Sequence, residues 1–257
     1  MNNVKFSVII PTLNEELFLP KLLDSLTKQT VKDFEVIVVD GRSEDKTVAL
    51  ARDFFTLLPR LTIVTDQERN LPLQRNVGAQ KARGDWFIFA DADAVFVPWF
   101  ISRIDQFIQE EHPKLFTTWF YPDSHVGSDA LLTLLGNMMI ESSNILHRSL
   151  TPGPLTIVTR EGFSSIGGYN ESLRFGEDYD FGQRLVATGF ELMILRETLC
   201  MFSLRRFRRQ GKLKMLNKYL MFAFRTLLTK KPPKDVSDYI MGGHLYRRDK
   251  KSKEINV

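Results

Sequence analysis

A chain of 257 residues, 43% of them hydrophobic, has enough apolar material for one large domain or for a domain with a substantial appendage. Its single cysteine, Cys200, excludes an internal disulfide, and no run approaches the ~20 apolar residues that an α-helical membrane span requires. The formal charge of +4 is unevenly divided: residues 198–257 hold 16 Lys or Arg against four acids, which leaves the first 197 residues with eight more acids than bases. One end is built to meet something anionic. The opening MNNVKFSVIIPTLNEE has one Lys before a short apolar run and no small-residue cleavage site, so it does not read as a signal peptide. A cytoplasmic setting is expected.

In chain order, the short runs FSVII, FEVIVV, LTIVT and WFIFA alternate with helical patterns over the first 110 residues. Continuous rather than alternating apolarity in such runs predicts strands covered on both faces, as in a parallel sheet. Between them lie EELFLPKLLDSLTKQ, SEDKTVALARDFF and PLQRNVGAQKAR, each with a helical pattern. This order predicts an α/β fold with a doubly wound, mostly parallel, Rossmann-like sheet. Further on, residues 128–148 form a long apolar helix candidate, 153–189 combine a strand, Gly-rich turns and a helix starting near GEDYD, and 190–204 read as one strand or a pair. TKKPPKD at 229–235 should end a helix.

Ligands of such sheets bind beyond the carboxyl ends of the strands. That rule picks out PTLNEE (11–16), DGRSED (40–45) and DADA (91–94). In Asp-X-Asp both side chains leave an extended segment on the same side, so Asp91 and Asp93 repel unless a cation lies between them and a second anion. Mg²⁺ or Mn²⁺, held by one or two carboxylates plus substrate phosphates, resolves the conflict. Alone, the tripeptide reads more readily as a solvated loop or a helix N-terminus. Asp40 suits a base or ribose, or a helix start beside Ser43; Asn14 and Glu15 suit a ligand, or a helix cap. Arg75 and Asn76 read as a surface pair or as groups that reach toward phosphate and the second aspartate.

The order of these pieces resembles the family 2 glycosyltransferases of the GT-A fold. SVIIPTLNEE, FEVIVVDGRSEDKT, QRNVGAQKARGD, FADADA and GEDYDFGQRL follow one another across residues 7–185 as they do in that family. The resemblance implies a nucleotide pocket lined by Pro11, Thr12, Asn14 and Glu15, with Asp40 at the base or ribose and Arg75 and Asn76 supporting the site. Asp91, Ala92 and Asp93 match the Asp-X-Asp motif, Asp93 being the first choice as direct metal ligand. Asp178 matches the catalytic base, with Glu177 beside it. The sequence departs from many relatives at Gly41, where they carry a second acid. The implied reaction is metal-dependent, inverting transfer of a sugar from a UDP- or GDP-linked donor to a hydroxyl or phosphate acceptor. The implied organisation is a catalytic domain at 1–203, with a nucleotide-sugar half (1–97) and an acceptor half (98–203), followed by a basic extension at 204–257.

Residues 204–231 contain ten basic residues and no acid, with Leu213, Leu216, Leu220, Ala223, Phe224, Leu227 and Leu228 at helical spacing. An amphipathic helix of this kind lies in a membrane interface, or packs its stripe on the catalytic domain. The first option assigns Arg205, Arg206, Arg208, Arg209, Lys212 and Lys218 to an anionic surface, and with Trp119 and Tyr121 suits a glycolipid or polyprenyl-linked acceptor at the inner face of the cell membrane. Nucleic acid is set aside because no binding motif accompanies the charge. His147 and His244 read as turn or surface residues rather than metal ligands. Two rivals are a nucleotidyltransferase, disfavoured because PTLNEE is no Gly-rich phosphate loop, and a silent scaffold or nucleotide-sugar-binding protein of the same fold, disfavoured by intact Asp40, Asp91, Asp93 and Asp178.

Overall fold

The computed structural model describes residues 4–65, 68–145 and 151–229, with side chains as far as Tyr219 and at Met221 in the last helix. His147, His244 and residues 230–235 of the Pro-Pro stretch lie outside them, as do most apolar side chains of the expected C-terminal stripe.

Strands β1 (Phe6–Thr12), β2 (Phe34–Asp40), β3 (Leu61–Thr65) and β4 (Trp86–Ala90) run parallel in the order β3-β2-β1-β4. Helices α1 (Leu19–Thr27), α2 (Thr47–Arg52) and α3 (Leu71–Lys81) provide the crossovers. Every residue of β1, β2 and β4 is buried, as continuous apolarity predicts. Each fully buried Val, Ile or Leu contributes about 1.5–3 kcal/mol, so Val8, Ile9, Ile10, Ile37, Val38 and Val39 anchor the layer. Close approach of α3 to the sheet depends on Gly78, where a Cβ would stand 2.4 Å from Ile9 Cγ2.

The second half adds a two-residue strand β5 (Val95–Phe96), helix α4 (Phe100–Glu111), strand β6 (Leu115–Pro122), helix α5 (Gly127–Ile145), strand β7 (Leu155–Thr159), helices α6 (Arg160–Ser165) and α7 (Glu177–Ala187), and one continuous strand β8 (Leu192–Phe202). Strand β7 is antiparallel to β4, β6 is antiparallel to β7 but parallel to β8, and β5 is antiparallel to β8. The eight-stranded order is β3-β2-β1-β4-β7-β6-β8-β5. Two consequences position the site. Antiparallel β7 starts where β4 ends, with Leu155 opposite Ala90. The β5–β8 pairing sets Val95 against Met201, so the chain just beyond β8 passes beside the loop that holds Asp93.

Helices α8 (Arg205–Gln210) and α9 (Lys212–Thr229) follow. Leu204, Phe207 and Met215 form a small buried cluster with Leu132, Phe202 and Tyr219, so the start of the basic segment is packed on the rest of the fold.

Candidate active site

The carboxyl ends of β1, β2 and β4 carry Thr12, Asp40 and, one residue beyond the strand, Asp91 to a single sheet edge, as expected. Helix α3 fastens that edge. Its N-cap Asn70 accepts a hydrogen bond from the Leu73 amide, and three successive polar side chains then turn inward to different partners. Gln74 Nε2 donates to the carbonyls of Thr12 at 2.9 Å and Val39 at 2.7 Å, clamping the ends of β1 and β2. A Cβ at Gly41 would lie 3.1 Å from that amide nitrogen, which gives the departure at Gly41 a packing partner.

Arg75 is only 1% exposed and gathers three acids from two segments. Its Nη2 donates to Asp91 Oδ1 and to the Gly153 carbonyl, both at 3.2 Å, while Nη1 donates to Glu177 Oε1 at 3.3 Å and to Asp178. The guanidinium carbon lies 5.0 Å from the centre of the Tyr169 ring, itself stacked on Phe181. A charge so deep is tolerated only when paired, as Nη1 and Nη2 are; Nε is buried with no hydrogen-bond partner among the described residues. Asn76, read as half of a surface pair or as reaching toward phosphate, donates to the Tyr169 carbonyl (2.9 Å) and Glu171 (2.8 Å) and accepts from the Tyr169 amide (2.8 Å). It pins the loop before α7 from behind, because the next residue on a helix points about 100° away from Arg75.

Asp178 opens α7 and faces Gly153, where a Cβ would stand 2.5 Å from its Oδ2. Burial pushes its carboxyl well above the usual range; Arg75 opposes the shift, and Glu177 and Asp91 reinforce it. Burial likewise raises Asp91 to about 6, again against Arg75 and helped by Asp93 and Glu177. Arg206, the neighbour of Arg205, draws Asp91 slightly back.

On the other side, Asn14 takes a left-handed backbone (φ 54°) that ties the β1 and β2 loops: its amide donates to Ser43 Oγ at 2.8 Å, and its side chain accepts from the Glu44 amide at 2.7 Å. Asp40 is 1% exposed; Oδ2 accepts from the Ser43 amide at 2.9 Å, and Oδ1 is buried without a hydrogen-bond partner among the described residues. Pro11 and Ala92 are buried in the strand end and the Asp-X-Asp turn.

The sequence missed Arg205 as a member of this site. Its Nη1 and Nη2 grip the two oxygens of Glu15 at 2.7 and 2.8 Å, Nε reaches Asp93 Oδ2 at 2.9 Å, and the guanidinium carbon lies 4.2 Å from the centre of the Phe18 ring. Burial raises Glu15 to about 7 despite that partner, with Asp93 and Asp91 adding to the rise. Other cations expected at an anionic surface also meet acids of their own chain. Arg208 pairs with Asp123 and with Asp129 (3.3 Å), and Lys212 with Asp129 and Ser128 (2.7 Å). Asp129 is 1% exposed, and a carboxylate that deep requires cations close by. Arg209 is exposed and Lys218 half-buried.

Among the described residues no three metal-ligating side chains converge. Asp91 and Asp93 nevertheless suit a hard divalent ion completed by substrate oxygens, because five acids (Glu15, Asp91, Asp93, Glu177 and Asp178) share this edge with Arg75 and Arg205, and the charge of Asp93 adds to the burial that raises both Glu15 and Asp91.

The family model described as Glycosyl transferase family 2 matches residues 7–152. A glycosyltransferase of Haemophilus influenzae is 32% identical over 185 residues, covering 70% of this chain and 61% of that protein. A PGL/p-HBAD biosynthesis glycosyltransferase of Mycobacterium tuberculosis is 34% identical over 190 residues, covering 70% of this chain and 68% of that protein. The match therefore spans less than two thirds of the Haemophilus relative. Among solved structures, S. aureus TarS 1-349 in complex with UDP superposes with a TM-score of 0.66 at 23% identity, over 79% of this chain and 62% of that one. Mannosyltransferase PcManGT from Pyrobaculum calidifontis, in complex with GDP-Man and Mn²⁺, gives 0.64 at 20% identity, over 89% and 66%. At these identities the likeness is one of fold, the GT-A fold expected from the sequence.

Proposed function

Because the chain belongs to glycosyltransferase family 2, we propose that it moves a sugar from a UDP- or GDP-linked donor to a hydroxyl or phosphate acceptor, with inversion at the anomeric carbon. The observation that carries this reading is the division of labour on one sheet edge. A buried, unsatisfied oxygen of Asp40 awaits a donor at one end, paired carboxylates stand in the middle, and a carboxylate of raised basicity waits at the other.

Asp40 Oδ1 accepts a hydrogen bond from the base or ribose, which removes the cost of leaving it unpaired. Asp93 and Asp91 would hold Mn²⁺ or Mg²⁺, and the ion would supply positive charge to the departing diphosphate. Asp178 takes the proton of the acceptor as its oxygen bonds to the anomeric carbon, and the bond from that carbon to the diphosphate oxygen breaks with its electron pair. A carboxylate that prefers to hold a proton is the better base, and such assistance contributes roughly 10² to 10⁴ in rate. Glu177 and Arg75 fix the position of Asp178 rather than share in the transfer.

A lipid-borne acceptor is supported by helix α5, whose buried face is polar except at Ile140 and whose exposed face is largely apolar. Asp129, Thr133, Asn137 and Ser143 are buried against the fold, whereas Leu131, Leu134, Leu135, Met138 and Ile145 are exposed. Asn137 explains the inward polarity: it exchanges hydrogen bonds with the Phe120 backbone at 3.1 and 3.0 Å. An exposed apolar face beside the basic start of α9 suits the inner face of an anionic membrane. No described helix is long and apolar enough to cross one. The test is release of UDP or GDP from matching nucleotide sugars when a membrane lipid extract is added. Acceptor-dependent release that Asp178→Asn abolishes supports the reading; absence of release with every donor contradicts it.

A further inference from the structure

Arg205 belongs to the basic C-terminal segment, lies outside the stretch matched by the family model, and yet stands inside the acidic site. The geometry points to a second task for it: Arg205 is a binding residue for the donor diphosphate, supplied by α8 and held by Glu15 and Asp93 until the donor arrives. This inference rests on the nucleotide-diphospho-sugar reading.

Three observations carry it. First, the placement is built by the topology. The pairing of β5 with β8 brings Met201 beside Val95, so residue 205 emerges next to Asp93. Second, the base of the side chain is fixed while its tip is not walled in. The Leu204 amide donates to Asp123 Oδ1 at 3.1 Å, Arg208 and Lys212 bind Asp123 and Asp129, and Leu204 and Phe207 are buried. Against that anchor the Arg205 side chain is 15% exposed, whereas Arg75 is sealed at 1%. Arg75 is a strut; Arg205 keeps some exposure beside Glu15 and Asp93.

Third, the bonds of Arg205 are those a ligand would exchange. Its bidentate fork on Glu15 is the arrangement guanidinium also makes with phosphate. Its Nε occupies Asp93 Oδ2, the carboxylate assigned to the metal. With a divalent ion held by Asp93 and a diphosphate bound beside it, Asp93 would release Nε and the guanidinium would turn to diphosphate oxygens, so the charges would be exchanged pairwise. The segment thereby balances the acids in the ligand-free chain and the leaving group in the loaded one.

The test compares full-length wild type, Arg205→Lys and Arg205→Ala for binding of UDP and GDP, of the matching nucleoside monophosphates, and of Mn²⁺ alone. Because Arg205→Ala strips a buried carboxylate of its partner, Glu15→Gln/Arg205→Ala serves as the second background. The expected result is a loss of about tenfold or more for the diphosphate that binds wild type, a clearly smaller loss for its monophosphate, and Arg205→Lys in between. Mn²⁺ alone is expected to bind Arg205→Ala at least as tightly as wild type. Equal losses for both nucleotides, no loss, or weaker Mn²⁺ binding in Arg205→Ala would overturn the assignment. Wild type that binds neither UDP nor GDP would instead remove the transferase reading on which it rests.

Discussion

Arg75 Nη2 lies 3.2 Å from Asp91 Oδ1, and the other arm of the same guanidinium holds Glu177 and Asp178. One side chain from α3 thus joins the end of β4 to the start of α7. Removing it leaves three acids crowded without their cation, a situation that costs about 3–5 kcal/mol for a buried pair. Arg75→Met should lower stability by that order in urea denaturation, and Arg75→Lys should recover only part because one ammonium cannot reproduce the fork. Wild-type stability in Arg75→Met would show that the cluster is not held this way.

A Cβ at position 153 would stand 2.5 Å from Asp178 Oδ2, so the carboxylate would have to shift to admit it. Asp178→Asn should retain nucleotide binding and lower transfer by roughly 10² or more. Gly153→Ala should lower kcat in the same direction by displacing the carboxylate, with little change in donor affinity. Single-turnover transfer beside donor titration separates the two quantities; transfer at the wild-type rate in Asp178→Asn would remove the base.

Glu15 and Asp91 make stability depend on pH in a stated direction. Their folded values, about 7 and about 6, exceed the ordinary 4.5 and 3.8. The folded chain therefore holds protons that the unfolded chain has released, and their contribution is complete below the ordinary values and lost as pH rises through about 6 and about 7. The Tm of the ligand-free protein should fall between about pH 5 and about pH 8, and Glu15→Gln should flatten that fall. A Tm that rises across the window, or an unchanged slope in Glu15→Gln, would contradict raised folded values for these two acids.

The first half of the fold was legible because each parallel strand is a continuous apolar run followed by a polar cluster, and Asp40, Asp91 and Asp93 follow from that alternation. Strand β6, LFTTWFYP, lacked such a signal because two threonines interrupt its apolar run, and the partner that lets Thr117 be buried, the Leu155 carbonyl at 2.9 Å, lies 38 residues away at the start of β7. Arg75 and Asn76 were read together, as a surface pair or as groups that reach toward phosphate and the second aspartate, because adjacency in sequence hides the 100° turn between them. Arg205 was invisible for a different reason. Its membership depends on β5, a strand of two residues, pairing with β8 across a separation of about a hundred residues. Composition announced a basic end but could not say that some of its charges turn inward.

Helix α5 offers a test of the membrane-borne acceptor. Leu134→Gln/Met138→Gln alters only exposed positions, so folding should be unaffected. Each buried apolar side chain is worth about 1.5–3 kcal/mol, and the double variant should lower sedimentation with anionic vesicles at least about tenfold. Binding equal to wild type would exclude this face.

The most direct measurement of the central claim is thermal unfolding of the full chain with UDP, GDP, CDP and dTDP, each with and without Mn²⁺. A ligand at about 100 times its dissociation constant adds roughly 2.7 kcal/mol, enough to move the midpoint by several degrees. The expected result is a shift with UDP or GDP that needs Mn²⁺ and disappears in Asp93→Ala. No shift with any nucleotide at saturation would contradict a nucleotide-sugar site at this edge.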